Sequence, residues 1–252
     1  MLVGREAELS IITAALEDAR NGRGSGICVA GAPGIGKTSL LAAAEEAAPG
    51  FTRLRTTGVP SEIAIGHAGL AEILTPLRDW VAQRPPPQRA ALETAMGWSA
   101  GESPPGRFLV GVATVSVLSM AAQERPILVL IDDLQWVDRE SAVVLLFAAR
   151  RMRHDAVLFL LARREGSVEP DVAGLDELEL VGLTAAESAA LLSQRSTAPV
   201  VLAQLVDRTA GNPLAMLEAA QQLSAEQLRG RRRADLSAPV DQERRVATGK
   251  PG

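Results

Sequence analysis

The sequence predicts an α/β fold: a three-layer sandwich in which a parallel five-stranded sheet lies between helices, followed by a small all-helical lid. Short apolar runs alternate with helical patterns along most of the chain. These runs are continuously apolar rather than alternating, which is typical of parallel strands covered on both faces. From Thr184 onward only helical patterns follow, opened by the capping-box spacing of Thr184 and Glu187.

Each element follows from a local pattern. Leu9, Ile12, Leu16 and Ala19 recur at helical spacing and predict an amphipathic helix over 5–20. The predicted strands cover residues 27–30, 52–57, 127–131, 156–162 and 178–181. Further helices are predicted over 37–48, 68–82, 107–123, 140–153, 198–210 and 213–223, and the proline run 85–87 is expected to end one helix and open the next. The predicted domains are therefore a sheet domain at 1–182, a helical lid at 183–228 and a disordered tail at 229–252.

Composition narrows the class of protein. The chain has 252 residues, 47% of them apolar, and a net charge of -4, so it can build a core but lacks the basic charge of a nucleic-acid binder. No run approaches the roughly 18 apolar residues of a membrane span and no signal-peptide core follows Met1, which predicts a cytoplasmic protein without membrane contact. The single cysteine, Cys28, excludes an internal disulfide and is expected to be a buried core side chain.

A phosphate-binding loop follows the first predicted strand. Residues 31–38 read GAPGIGKT and match G-x-x-x-x-G-K-[ST], with a strand before and a helix after. Glycines let the backbone N–H groups approach phosphates, Lys37 would bridge the β- and γ-phosphates, and the Thr38 hydroxyl would bind Mg²⁺. The candidate nucleotide-binding residues are Gly31, Ala32, Pro33, Gly34, Ile35, Gly36, Lys37, Thr38 and Ser39. A glycine-rich turn without a ligand is the structural alternative.

Two aspartates end the third predicted strand, in LVLIDDLQW (128–136). A carboxylate at the end of a strand near a phosphate-binding loop can hold Mg²⁺, and Asp132 is the candidate. Asp133 is a candidate for activating the attacking water, but aspartate is one methylene shorter than the glutamate that vigorous ATPases often use there. A misplacement of about 1 Å can cost two orders of magnitude in rate, so weak hydrolysis is expected.

Two arginines end the fourth predicted strand. Either Arg163 or Arg164 could reach the γ-phosphate, since guanidinium pairs well with phosphate oxygens. Solvated charge at a strand end is the other interpretation for each of them.

Together these segments resemble the signal-transduction ATPases with numerous domains, within the AAA-like P-loop NTPases, and more narrowly the ATPase module of large ATP-binding LuxR-family transcriptional regulators. The resemblance is carried by VGRE (3–6), GAPGIGKTSLL (31–41), GHAGLAEILTPL (66–77), PILVLIDDLQWVDRESA (126–142), FAARRM (147–152), LLARREG (160–166) and GNPLAMLE (211–218). It extends from residue 3 to about residue 229.

The resemblance implies further residues and a mechanism. Val3, Gly4 and Arg5 would lie near the adenine, and Pro213 would reach the nucleotide from the lid. ADP would be held between sheet domain and lid in a resting state, and exchange for ATP would favour self-association. A plain helix stop and restart is the alternative for the Gly211-Asn212-Pro213 segment.

Relatives of this kind continue into a winged-helix unit, helical repeats and a DNA-binding helix-turn-helix, which are missing from this chain. SAPVDQERRV (237–246) resembles the start of that continuation, so a truncated reading frame or a fragment is expected. DNA binding would then belong only to the missing regions. A metabolic P-loop kinase with an acceptor pocket in the 59–125 insert is the main alternative, and a DNA-loading ATPase of the initiator type is a third.

Overall fold

The computed structural model describes residues 2–100, 105–167 and 170–232. The strands are β1 (Ser25–Gly31), β2 (Thr52–Thr57), β3 (Ile127–Asp132), β4 (Val157–Arg164) and β5 (Asp176–Leu180). The helices are α1 (Glu6–Arg20), α2 (Lys37–Glu46), α3 (Ala68–Leu74), α4 (Arg78–Ala82), α5 (Pro86–Ala95), α6 (Arg107–Glu124), α7 (Arg139–Ala149), α8 (Ala185–Leu191), α9 (Pro199–Thr209), α10 (Pro213–Gln222) and α11 (Ala225–Leu228). The predicted α/β fold with a parallel five-stranded sheet is confirmed.

The sheet has the strand order β2-β3-β4-β1-β5. β2 pairs with β3 from Thr52 opposite Ile127 to Thr57 opposite Asp132, and β3 pairs with β4 in parallel as well. Every residue of β3 is buried, as its continuous apolar pattern predicts. The carboxyl ends of parallel strands share one edge of a sheet, and β3 and β4 end there at Asp132 and Arg164.

The chain divides into two compact units. The larger one, called the sheet unit, comprises Ala7–Ala30 and Thr38–Glu179. Its core is built from β2, β3 and β4 together with α3, α6 and α7, and Leu54, Val129 and Phe159 are among its fully buried side chains. Burial of large aliphatic and aromatic side chains contributes roughly 1.5–3 kcal/mol each, so this core dominates the stability of the unit.

The smaller unit, called the loop-and-lid unit, comprises residues 2–6, 31–37 and 180–232 of the described chain. Helices α8–α11 form its apolar core, centred on Leu192, Leu205, Met216 and Ala220. The predicted capping box is present: the Thr184 hydroxyl accepts from the Glu187 N–H, and the Glu187 carboxylate accepts from the Thr184 N–H. The phosphate-binding loop thus belongs to the same compact unit as the helical lid.

Some predicted boundaries are wrong. The helix predicted over 68–82 is broken, since Thr75–Leu77 forms a 3-10 turn with Pro76 in its first positions. Proline removes an N–H donor and clashes with the preceding turn, which explains the break. The helix predicted over 140–153 ends at Ala149, and α11 was not predicted.

The domain boundaries predicted at 182 and 228 stay predictions. Each compact unit combines segments that are distant in sequence, whereas each predicted domain is one continuous range of residues. The two divisions are therefore not directly comparable. Of the predicted disordered tail at 229–252, residues 233–252, which include SAPVDQERRV, lie outside the described residues. None of the helices in the described ranges is long and apolar enough to cross a membrane.

Candidate nucleotide-binding site

The loop between β1 and α2 contains two glycines with positive φ angles, as its glycine-rich sequence predicts. Gly34 and Gly36 have φ values of 76° and 108°, which L side chains rarely adopt. A Cβ atom on Gly34 would also stand 2.8 Å from the Leu214 Cβ. Glycine is therefore required at position 34 for two reasons: the backbone angle and the close approach of α10.

Lys37 lies at the start of α2 and folds back onto the loop. Its ammonium donates to the carbonyl oxygens of Gly31 and Ala32, both at 2.9 Å. The side chain is buried, with 8% of the residue exposed. Backbone oxygens therefore hold the ammonium at the loop. This is the position from which it could contact a phosphate bound there.

The next three carbonyl oxygens of the loop, at 33–35, accept from donors outside it. The Asn212 Nδ2 donates to the Pro33 oxygen at 2.8 Å, and the Leu214 N–H donates to the Gly34 oxygen at 3.3 Å. The Arg5 guanidinium donates to the Ile35 oxygen at 3.1 Å. The outer face of the loop is thus hydrogen-bonded by the N-terminal segment and by the start of α10.

Arg5 is a structural link within the loop-and-lid unit. Besides the Ile35 oxygen it donates to the Val181 oxygen at 2.7 Å, and only 3% of the residue is exposed. Val3 is half-buried, and Gly4 has a φ of 65°. The Ile35 and Val181 partners of Arg5 are backbone carbonyl oxygens, and contact of Val3, Gly4 and Arg5 with an adenine stays a prediction.

Pro213 is the first residue of α10, and Asn212 caps that helix. The Asn212 Oδ1 accepts from the Ala215 N–H at 3.2 Å. A proline at the first helical position loses no hydrogen bond, because that N–H would have no partner within the helix. Helix restart and contact with the loop therefore occur together at this segment, whereas contact of Pro213 with nucleotide stays a prediction.

Asp132 ends β3 and is 3% exposed. Its Oδ1 accepts from the Asp133 N–H at 3.0 Å, and its Oδ2 is 4.0 Å from the Arg55 Nη2 on β2. Arg55 also faces Glu45 at 3.5 Å. A buried carboxylate needs compensating donors or cations, and these neighbours provide them.

Asp133 belongs to a short chain of side-chain hydrogen bonds. Its backbone is in the left-handed region, with φ 48°. The Gln135 Nε2 donates to the Asp133 Oδ1 at 3.0 Å, and the Gln135 Oε1 accepts from the Arg164 N–H at 3.0 Å. Gln135 therefore connects Asp133 to Arg164 at the end of β4. The sequence patterns do not predict this connection.

The two arginines at the end of β4 have different surroundings. Arg163 donates to the Ser167 carbonyl oxygen at 2.7 Å and to the Glu177 carboxylate at 3.2 Å. Arg164 is exposed. Successive strand side chains point to opposite faces, so the two guanidinium groups cannot serve the same ligand from the same face.

Oxygen donors for a magnesium ion are present in the sheet unit. Thr38 lies exposed in the first turn of α2 beside the nucleotide-binding candidate Ser39, and Asp132 offers a carboxylate, so Thr38 and Asp132 are the metal candidates. Hydroxyl and carboxylate oxygens are the ligands that Mg²⁺ prefers, so the residues fit the ion. Within the described ranges no three His, Cys, Asp or Glu side chains form a metal cluster. A magnesium ion bound with a nucleotide needs none, since phosphate oxygens and water complete its shell.

Sequence reasoning missed Asn212, Gln135 and Arg55 as site residues. Asn followed by Pro is typical of a helix N-terminus, so the capping role of Asn212 could have been predicted from the sequence. The bond from Asn212 to Pro33 spans 179 residues and no local pattern carries it. The LVLIDDLQW pattern predicts no role for Gln135, because its hydrogen bond to the Arg164 N–H forms only when β4 lies beside β3.

The five-stranded parallel sheet and the glycine-rich loop between a strand and a helix define a P-loop NTPase fold. The sequence profile of the AAA ATPase domain matches residues 1–161. The chain therefore belongs to the AAA ATPase domain family. No curated protein matches it.

Three solved structures share the fold. A signal-transduction ATPase with numerous domains and a tetratricopeptide-repeat sensor, from Pyrococcus horikoshii, is 20% identical with a TM-score of 0.54 over 88% of this chain and 33% of its own. The Aeropyrum pernix ORC1 protein, in complex with DNA, is 18% identical with a TM-score of 0.50 over 89% of this chain and 62% of its own. Thermotoga maritima RuvB is 16% identical with a TM-score of 0.52 over 93% of this chain and 67% of its own. The chain spans about a third of the length of the first of these proteins.

Proposed function

We propose that this chain is an ATP/ADP-binding switch module that hydrolyses ATP slowly with Mg²⁺. The family makes it an AAA-type P-loop ATPase module. We further propose a slow rate of hydrolysis, a switch between two nucleotide states, and the residues responsible for each.

One observation supports nucleotide binding above the others: the carbonyl oxygens of residues 33–35 are all taken by protein donors on the outer face of the loop. In a trans peptide the C=O of one residue and the N–H of the next point in opposite directions. The N–H groups of Gly34 and Gly36 therefore point away from these donors. Such oriented N–H groups, with the Lys37 ammonium, form an anion-binding concavity.

Each ligand has proposed partners. The loop and Lys37 would hold the phosphates, while Thr38 and Asp132 would hold Mg²⁺. The ion supplies charge neutralisation on the phosphate oxygens during transfer. Val3, Gly4, Arg5 and Pro213 remain proposed contacts of the nucleotide base, on the strength of the resemblance.

Slow hydrolysis is proposed from the side chain that would orient water. Asp133 is short, and Gln135 holds one of its carboxylate oxygens at 3.0 Å. An oxygen that already accepts a hydrogen bond is a weaker acceptor for the proton of a water molecule. Arg164 is the better proposed sensor of the γ-phosphate, because Arg163 is engaged with Glu177 and Ser167.

The parent architecture is also part of the proposal. We place the module in a LuxR-family transcriptional regulator in the cytoplasm, self-associating in its ATP state and contacting DNA only through regions outside this chain. The motifs in residues 3–229 support this placement, and the fold shared with a multidomain signal-transduction ATPase is consistent with it. A metabolic kinase is the competing function.

The decisive experiment combines retention and turnover. Nucleotide co-purifying with the wild-type protein would be identified, and phosphate release would be measured with and without Mg²⁺. We expect retained ADP and turnover far below about 10 per second, a typical enzyme value. Rapid turnover would contradict the slow switch, and consumption of ATP only after a small acceptor is added would favour the kinase instead.

Lys37→Ala tests the proposed phosphate-binding loop. A charge-assisted hydrogen bond contributes about 1.5–3 kcal/mol, so we expect ADP affinity to fall by about 10- to 150-fold. Lys250→Ala is the matched control, because 37 and 250 are the only lysines in the chain. Equal affinity in the two variants would refute the assigned loop.

A further inference from the structure

Asn212 makes hydrogen bonds with two different atoms of its side-chain amide. Its Oδ1 accepts from the Ala215 N–H, which caps α10. Its Nδ2 donates 2.8 Å to the Pro33 oxygen, within the phosphate-binding loop. The residue is 6% exposed; the capping bond is buried and the bond to the Pro33 oxygen is partly buried. A cap needs only the oxygen, and the second bond is therefore additional to the capping role.

Neighbouring groups bind the same stretch of the loop. The Leu214 N–H, two residues further along, donates to the Gly34 oxygen at 3.3 Å. Gly34 has no room for a Cβ, which would lie 3.0 Å from the Asn212 Oδ1 as well as close to Leu214. The first turn of α10 thus lies directly against the loop, and Asn212 provides the shortest hydrogen bond between them.

We propose that Asn212 is a positioning residue of the phosphate-binding loop: its Nδ2 holds the Pro33 carbonyl outward and so keeps the following N–H group turned toward the phosphates. The inference rests on the proposed nucleotide binding and deepens it. A loop held in its binding conformation loses less entropy when ligand arrives, so it retains nucleotide longer.

The coupling works in both directions. If docking of α10 on the loop raises the affinity for nucleotide, then bound nucleotide stabilises the docked α10 by the same factor. The Leu214 amide reports this directly, because its N–H donates to the Gly34 oxygen from the first turn of α10. Its hydrogen exchange is expected to slow when ADP binds.

The test uses dissociation of a fluorescent methylanthraniloyl ADP from the full chain, chased with unlabelled ADP. Asn212→Ser and Asn212→Asp both keep an oxygen that caps a helix well but lack the Nδ2 donor. Asn212→Ala loses both functions. We expect Asn212→Ser to release labelled ADP about 10-fold faster than wild type, the effect of one hydrogen bond, and Asn212→Asp at least as fast.

A purely structural cap predicts another pattern, in which Ser and Asp retain the wild-type rate and only Ala differs. That result would overturn the inference while leaving nucleotide binding intact. Urea unfolding of the ligand-free variants separates the roles further, since the Ser and Asp variants should keep α10 folded while releasing ADP faster. If the wild-type protein binds no labelled ADP, the proposed function itself fails, which is a distinguishable outcome.

Discussion

Asp133 combines an uncommon backbone conformation with a side chain that accepts a hydrogen bond from Gln135. Its φ of 48° is tolerated by aspartate and asparagine better than by most residues. Gln135 fixes its carboxylate and also receives the N–H of Arg164. In the proposed function, the short reach of this side chain and its hydrogen bond to Gln135 are expected to keep ATP hydrolysis slow.

Two substitutions at Asp133 test this limit. Asp133→Asn keeps the left-handed backbone but removes the base, so ATP hydrolysis should fall by about 100-fold, the low end for loss of a general base. Asp133→Glu adds the missing methylene and should raise turnover above wild type. Phosphate release under saturating ATP measures both, with ADP affinity as the control that should stay unchanged. Hydrolysis that is lower in Glu than in Asn would show that reach is not what limits the reaction.

At the scale of elements, Asp138 joins α3 to α7. It caps α7 through the Ser141 N–H at 2.9 Å, and it accepts from the His67 and Gly69 N–H groups at 2.7 and 3.1 Å. The Ser141 hydroxyl accepts from the Leu70 N–H at 2.8 Å. The start of α3 has no capping side chain of its own, because His67 makes no such bond. The first turns of α3 and α7 therefore both depend on side chains of the segment WVDRES (136–141).

We expect Asp138→Ala to lower the free energy of unfolding by about 2–4 kcal/mol, since it removes a cap and leaves buried N–H groups unsatisfied. Asp138→Asn keeps one acceptor oxygen and should lose about half as much. Urea unfolding measures both values. A loss below about 0.5 kcal/mol in the alanine variant, the size expected at an ordinary surface site, would contradict the role of Asp138 in joining the helices.

The same scale explains where prediction of elements failed. Strand positions were predictable because β1, β3 and β4 are continuously apolar and buried. Pro76 is a local signal for the break at Thr75–Leu77, but the apolar helical pattern around it predicts a continuous helix. The end of α7 at Ala149 carried no glycine or proline signal, so only packing decided it.

At the scale of the whole molecule, the buried thiol of Cys28 links stability to alkaline pH. Burial raises the pKa of Cys28 from 9.0 to about 11, with the Arg163 guanidinium opposing and the Glu177 carboxylate adding to the rise. Below pH 9 both folded and unfolded chains hold the proton. Between pH 9 and 11 the unfolded chain releases it first, so unfolding becomes more favourable as pH rises.

We expect this single group to remove about 2–3 kcal/mol of stability by pH 11. Cys28→Ala is the control, because it lacks the thiol while sharing every other titrating group. The chain has no tyrosine, so few side chains obscure the effect. Denaturant unfolding at several pH values should show the stability of wild type approaching or falling below that of Cys28→Ala above pH 9. A constant difference between the two proteins would contradict the raised pKa.

The sequence alone determined the fold class, the strands and the chemistry of the loop, because glycine spacing, apolar runs and the Lys37-Thr38 pair are local properties of the chain. Tertiary structure decided what surrounds that chemistry: Asn212 on the Pro33 oxygen, Arg5 on the Ile35 oxygen, and Gln135 between Asp133 and Arg164. The physical reason is that a polar side chain can hydrogen-bond any backbone group that folding brings within about 3 Å, and its residue type does not specify which.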